Sequence, residues 1–153
     1  MTWSQEKLIV VPTDMSDFSF CALKTACKIA ERRDLIRVIH VMSVLEPIDP
    51  EAAWVIADEP MRLEQTRKEA EEFLMSHDCG DLPFEIRVGN AGTEIADYAT
   101  EIHAGLIIIP SHGRGVLTRL LLGSTTDRVV HLSPCPVLVL KKDSANVCSK
   151  SVN

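Results

Sequence analysis

The 153-residue chain lacks any apolar run approaching the ~20 residues that a membrane-spanning helix needs. Its opening residues, Met1-Thr2-Trp3-Ser4-Gln5-Glu6-Lys7, lack the signal-peptide pattern, so the cytoplasm is the expected compartment. Positive charge is not in excess either: Lys and Arg number 16 against 22 Asp and Glu, a net charge of −6. Neutralising a nucleic-acid backbone or an anionic bilayer needs a basic patch, so neither is an expected partner. There is no Cys-x-x-Cys pair. Cys21, Cys27, Cys79, Cys135 and Cys148 are odd in number and read as reduced thiols that mostly pack, rather than as a disulfide or zinc framework. Cys148, in a polar tail, is the one expected to be most reactive. His77, His103 and His131 end or decorate helices, and no metal-ligand spacing links them. No internal repeat and no sign of a second domain interrupts the chain.

What is present is an ordinary globular composition, 46% hydrophobic and 25% charged, at a length that suits one domain over residues 1–153. The core is expected over about 7–141, with 142–153 a flexible tail. Four segments are continuous and β-rich: Leu8 to Val11, Ile36 to Val41, Leu106 to Ile109 and Val137 to Leu140. A fifth, Phe84 to Val88, interleaves Glu85 and Arg87. Near-continuous apolar strands indicate burial on both faces, as in a parallel sheet covered by helices.

Helical spacing fills the intervals. Phe18, Ala22, Ala26 and Ile29 mark one face, with Ser16 as its cap. Leu63, Ala70, Phe73 and Leu74 mark a second, opened by Pro60. Ile95, Tyr98, Ala99 and Ile102 mark a third, closed by Gly105. Thr125, Val129 and Leu132 mark the last, stopped by Pro134. The alternating order calls for an α/β fold, a single doubly wound five-stranded parallel sheet with helices on both faces. Such sheets bind ligands beyond the carboxyl ends of their strands, where the strand order reverses. The loops after the first and fourth strands should flank that crevice. Leu45 to Glu59, carrying Pro47 and Pro50, is a long loop able to act as a flap.

The fourth strand runs straight into Ser111-His112-Gly113-Arg114-Gly115, and Gly123-Ser124-Thr125-Thr126 opens the following helix. A buried strand, a glycine loop and a Gly-Ser-Thr helix start are the parts that hold a phosphate chain, because glycine lets the backbone approach and helix N–H groups attract anions. Ser124 would add a hydroxyl to a phosphate oxygen, and Arg114 would neutralise charge at the rim. The competing assignment has Ser124 only capping its helix. After the first strand, Asp14 in Pro12-Thr13-Asp14-Met15-Ser16 either accepts a hydrogen bond from a ribose or adenine or supports the turn. Val41-Met42 offers either an apolar wall to a base or plain core. His112 belongs to a residue type suited to general acid–base chemistry, but no nucleophile and orienting carboxylate accompany it, which favours a loop histidine satisfied by neighbours. His40 is expected as a hydrogen-bonded core residue.

These landmarks together resemble the universal stress protein family. The similarity runs from Leu8 to Lys141 and includes Val11-Pro12-Thr13-Asp14, His40-Val41, Val88-Gly89-Asn90 and Ser133-Pro134-Cys135-Pro136-Val137-Leu138-Val139-Leu140. The ATP-binding branch of that family carries Gly-x-x-Gly, nine residues, then Gly-Ser or Gly-Thr. Gly113, Gly123 and Ser124 match with the spacing intact, while the first glycine is replaced by Pro110. The resemblance implies an adenosine pocket at Pro12, Thr13, Asp14 and Val41, and phosphates held by Gly113, Gly123, Ser124 and Thr125. Pro110, His112 and Arg114 complete the expected nucleotide-binding set. A magnesium or manganese ion carried on the phosphates is implied as well, together with a homodimer through the last strand. Proline removes an N–H, so an altered ribose contact is expected rather than loss of the site.

The resulting expectation is a cytoplasmic stress-response protein that binds ATP with a divalent metal and acts as a nucleotide-dependent regulator on an unidentified protein partner. No catalytic residue is assigned, and at most slow ATP hydrolysis is expected, because nothing positions an attacking water. The alternative is a nucleotide-independent homodimer acting through protein contacts. An ATP-using ligase or pyrophosphatase ranks last, since the loop after the first strand is not glycine-serine-rich.

Overall fold

In the computed structural model, residues 7–44, 59–112 and 122–141 are described. The elements run β1 (Ile9–Pro12), α1 (Asp17–Ile29), β2 (Ile36–Met42), α2 (Glu59–Ser76), β3 (Phe84–Val88), α3 (Ala91–Glu101), β4 (Leu106–Pro110), α4 (Ser124–Leu132) and β5 (Val137–Leu140), with one 3-10 turn at Arg33–Leu35. All strand pairings are parallel, in the order β3-β2-β1-β4-β5. This is the expected doubly wound α/β sheet.

Period-two alternation along the strands explains the two layers. Ile9, Val11, Ile36, Val38, Leu106 and Ile108 enter one core with Ala22, Leu23 and Ala26 of α1 and Leu74 of α2. Val10, Ile39, Ile107 and Ile109 enter the other with Ile95, Tyr98 and Ala99 of α3 and Val129 of α4. A strand that feeds both cores must be apolar at nearly every position, and this made the central strands legible. Because α1 and α2 cover one face and α3 and α4 the other, the chain reverses its winding at β1 and β4.

That reversal opens a crevice. β1 pairs with β4 only through Ile9↔Leu106 and Val10↔Ile107, whereas β4 follows β5 up to Pro110↔Leu140. Beyond Val10 the carboxyl ends of β1 and β4 diverge, with Thr13 and Asp14 on one side and His112 and the start of α4 on the other. Two glycines set the geometry nearby. Gly89, between β3 and α3, has φ +153°, which side-chain-bearing residues rarely adopt. Gly92, in the first turn of α3, lies so close to α4 that a Cβ would come within 2.6 Å of Arg128 Cβ. Its lack of a side chain lets α4 pack closely, which brings the start of α4 to the crevice.

Three helical expectations need correction. The buried stripe of α1 is Ser19, Ala22, Leu23 and Ala26, while Phe18 is half-buried and Ile29 is 39% exposed. Ser19 escaped an apolar count because it is a buried polar residue, held by hydrogen bonds to Thr13 Oγ1 and to the Ser16 carbonyl, both at 2.8 Å. Gly105 does not close α3. His103 takes the left-handed position with φ 52°, and the Ala104 and His103 N–H groups donate to the Ala99 and Thr100 carbonyls, a Schellman ending. Likewise Leu132 at the end of α4 is half exposed rather than buried. The Leu45 to Glu59 flap falls outside the described residues except for Glu59, which starts α2. The 142–153 tail with Cys148 also lies outside them.

Candidate functional site

The turn after β1 is built by its own side chains. Thr13 Oγ1 accepts from Met15 N–H at 3.0 Å, and Asp14 Oδ1 accepts from Ser16 N–H at 3.0 Å and from Ser16 Oγ at 2.5 Å. Two successive side-chain turns of this kind carry the chain through Met15, a non-glycine residue at φ 61°. Ser16 then caps α1 by accepting from Ser19 N–H at 3.2 Å. The supporting role weighed for Asp14 is thus present, and the same residue lines the crevice. From below, the Thr13 carbonyl meets His40 Nδ1 at 2.7 Å and Thr13 N–H donates to the Ile39 carbonyl, so β2 fixes the height of the turn.

The opposite wall comes from β4 and α4. Ser111 N–H donates to the Leu140 carbonyl and Gly123 N–H to the Ser111 carbonyl, both at 2.8 Å, which ties the start of α4 to the end of β4. Thr126 Oγ1 donates to the Pro110 carbonyl at 2.7 Å and adds a second tie. Gly123, not Ser124, occupies the cap position of α4, and no side chain caps the helix. The first-turn N–H groups of α4 therefore lack intrahelical partners at the edge of the crevice, where the helix dipole is positive. Ser124 is exposed and Thr125 half-buried, each lining the same space.

Pro110 also has a geometric account. The Ile107 and Ser111 N–H groups donate to β5, at 3.0 and 2.8 Å to the Pro136 and Leu140 carbonyls. Strand alternation aims the nitrogen of residue 110 the other way, into the crevice, so proline costs the β4–β5 ladder no hydrogen bond. What it removes is one donor that would have faced a bound molecule.

The crevice holds a cavity of about 270 Å³. Pro12, Thr13, Asp14 and Val41 line one side, and Pro110, His112, Gly123, Ser124 and Thr125 the other. Nine of the eleven residues expected at a nucleotide site thus surround one space; Gly113 and Arg114 lie outside the described residues. The sequence reading missed Ser19, His40, Ala91 and Ile95, which line it too. His40 is half-buried at the cavity wall rather than in the core, although hydrogen-bonded as expected. A more open cavity of about 480 Å³ shares His40 and Val41 and extends to Arg62, Gln65, Thr66 and Glu69 of α2.

His112 is 9% exposed, and Ser111 Oγ meets its Nδ1 at 2.8 Å. Its Nε2 is a buried polar atom without a hydrogen-bond partner, the one such side-chain atom among the described residues. The expectation that neighbours satisfy this histidine is met at one nitrogen only. An orphaned buried nitrogen costs on the order of 1–3 kcal/mol unless something in the cavity completes it.

A five-stranded parallel sheet wound in both directions from its switch point defines an α/β protein of the doubly wound class. Comparison with known proteins narrows that class. Residues 6–141 match the universal stress protein family, and the chain belongs to it. Universal stress protein MJ0531 of Methanocaldococcus jannaschii is 34% identical over 145 residues, covering 89% of this chain and 82% of that protein. Among solved structures, that of MJ0577, from the same organism, superimposes with a TM-score of 0.73 at 27% identity, covering 91% of this chain and 98% of the other. UspA of Lactobacillus plantarum gives 0.71 at 26% identity, covering 91% and 100%.

Proposed function

We propose that this protein binds ATP in the β1–β4 crevice and acts as a nucleotide-dependent regulator. The observation that carries the reading is the pairing of two unlike walls across one cavity. The Pro12–Asp14 turn with Val41 offers a carboxylate and apolar surface suited to adenosine. The start of α4, where Gly123 leaves room for close approach and no side chain caps the helix, offers the N–H groups and hydroxyls of Ser124 and Thr125, suited to phosphate. His112 Nε2 adds a polar group that needs a partner. A magnesium or manganese ion would be carried by the phosphates and water.

Calorimetric titration with ATP and magnesium tests the reading. Saturable binding at micromolar nucleotide is the expected result; no heat and no thermal stabilisation at millimolar ATP would overturn it. A nucleotide-independent homodimer is the second reading, and two observations favour it. Pro110 withdraws a donor from the crevice. At the sheet's edge, β5 exposes Leu138, with Val130 and Leu132 of α4 also exposed, whereas the opposite edge strand β3 is armoured by Arg87 paired with Glu85 and Glu101. Light scattering after size exclusion tests the dimer, and the titration separates the readings: a dimer that gives no heat with ATP supports the second alone.

A further inference from the structure

At the opposite end of the sheet, two cysteines far apart in sequence meet over one arginine. Cys27 lies in the last turn of α1, and Cys79 follows α2 in the turn toward β3. Arg33, just before β2, directs Nη1 to Cys27 Sγ at 3.6 Å. The guanidinium is itself fixed, donating to both carboxylate oxygens of Asp81 at 2.9 and 2.6 Å and to the Asp78 carbonyl at 2.8 Å. Cys79 is 4% exposed and belongs to the core, whereas Cys27 is half-buried at its edge and within reach of solvent. Arg33 thus joins Cys27 to the turn that carries Cys79, and both cysteines pack into the same apolar core.

We propose that Cys27 and Cys79 form a peroxide-reactive dithiol site, with Cys27 the attacking sulfur, Cys79 the resolving one and Arg33 the group that holds the thiolate. The two sulfurs sit in unlike surroundings, which assigns their roles. The hydrogen bond from Cys79, and then the charge of Arg33, bring the Cys27 thiol down to about 6, against the opposing effects of burial and of Asp81. Cys79 is pushed the other way by the same hydrogen bond and by its burial, so it keeps its proton. A half-exposed thiolate beside a cation is the reactive form of cysteine. The chemistry balances with hydrogen peroxide as oxidant. Cys27 sulfur attacks one peroxide oxygen, the O–O bond breaks, and the second oxygen leaves as hydroxide, giving a sulfenic acid. Cys79 sulfur then attacks that sulfenic sulfur, its proton and the hydroxyl leave as water, and the S–S bond forms. Two thiols and one peroxide yield one disulfide and two waters.

The test uses the full chain, treated with stoichiometric hydrogen peroxide, quenched with an alkylating agent and digested for mass spectrometry. A Cys27–Cys79 linked peptide is expected. In Cys79→Ser a dimedone adduct should accumulate at Cys27, and in Cys27→Ser Cys79 should remain reduced. Iodoacetamide reactivity of Cys27 should rise with pH through a midpoint near 6, moving upward in Cys79→Ser and in Arg33→Gln. Oxidation confined to Cys135 or Cys148, or a Cys27 midpoint in the ordinary thiol range of about 8.5, overturns the proposal. Cys79→Ser keeps the test decisive should Arg33→Gln fail to fold.

Discussion

The two ends of this sheet carry different chemistry on the same scaffold. At the carboxyl ends of the strands, β1 and β4 diverge, the start of α4 supplies N–H groups that have no intrahelical partner, and the side chains mostly shape the walls. At the amino ends, where α1 finishes and β2 and β3 begin, the packing is closed, and side chains alone provide the reactive groups in Cys27, Cys79 and Arg33. The difference follows from topology. A switch point exists where two strands send their helices to opposite faces, so only one end of the sheet opens. At the other end a site must come from residues that the turns happen to bring together.

The contrast is removed altogether by damage to what both ends share. Ile107→Ala, at a fully buried position between the two, should cost ~2–5 kcal/mol and lower the denaturation midpoint. ATP affinity and the reactivity of Cys27 should then both fall to the extent that the protein unfolds. Changes at the crevice sharpen it instead. Gly123→Val, which puts a branched side chain against the phosphate wall, should lower ATP affinity by about a hundredfold, ~2.8 kcal/mol, with Cys27 alkylation unaltered. Asp14→Ala should cost about tenfold, ~1.4 kcal/mol, and act on adenosine as strongly as on ATP, because its wall is the one proposed to hold the nucleoside. Equal affinity in variant and parent would leave Asp14 a turn residue alone, held to Ser16.

The smallest effect belongs to the amino end. Arg33 hydrogen-bonds to Asp81 and holds its carboxyl below the usual range. A carboxyl depressed in the folded state contributes stability that is present at neutral pH and fades as acid protonates it. Asp81→Asn should therefore flatten the loss of melting temperature between about pH 5 and pH 2, slightly, since the pair is exposed to solvent. A parent and variant with parallel acid profiles would show that Arg33 is held by the Asp78 carbonyl without help from Asp81.

The strands were legible because period and burial coincide. Phe84–Val88 and Val137–Leu140 carry the bounds read from sequence, and the other three strands differ by a residue at one or both ends. Two of the misreadings lay where a polar residue took an apolar position or a non-glycine took a left-handed one: Ser19 in the buried face of α1 and His103 at the end of α3. At the crevice, loop residues were found through turn chemistry and motif spacing, but Ser19, His40, Ala91 and Ile95 carry no local sign of facing a cavity.

By itself, then, the sequence determined the element order, the two-faced burial of the central strands and the uncommon loops after β1 and β4, since these depend on local periodicity and local backbone preference. Which strands lie side by side was decided by tertiary structure, and so were the direction in which the Pro110 nitrogen points, the missing partner of His112 Nε2 and the meeting of Cys27 with Cys79. Each of these depends on groups distant in the chain arriving within a few ångströms, and hydrogen bonds and thiol chemistry act only at that range.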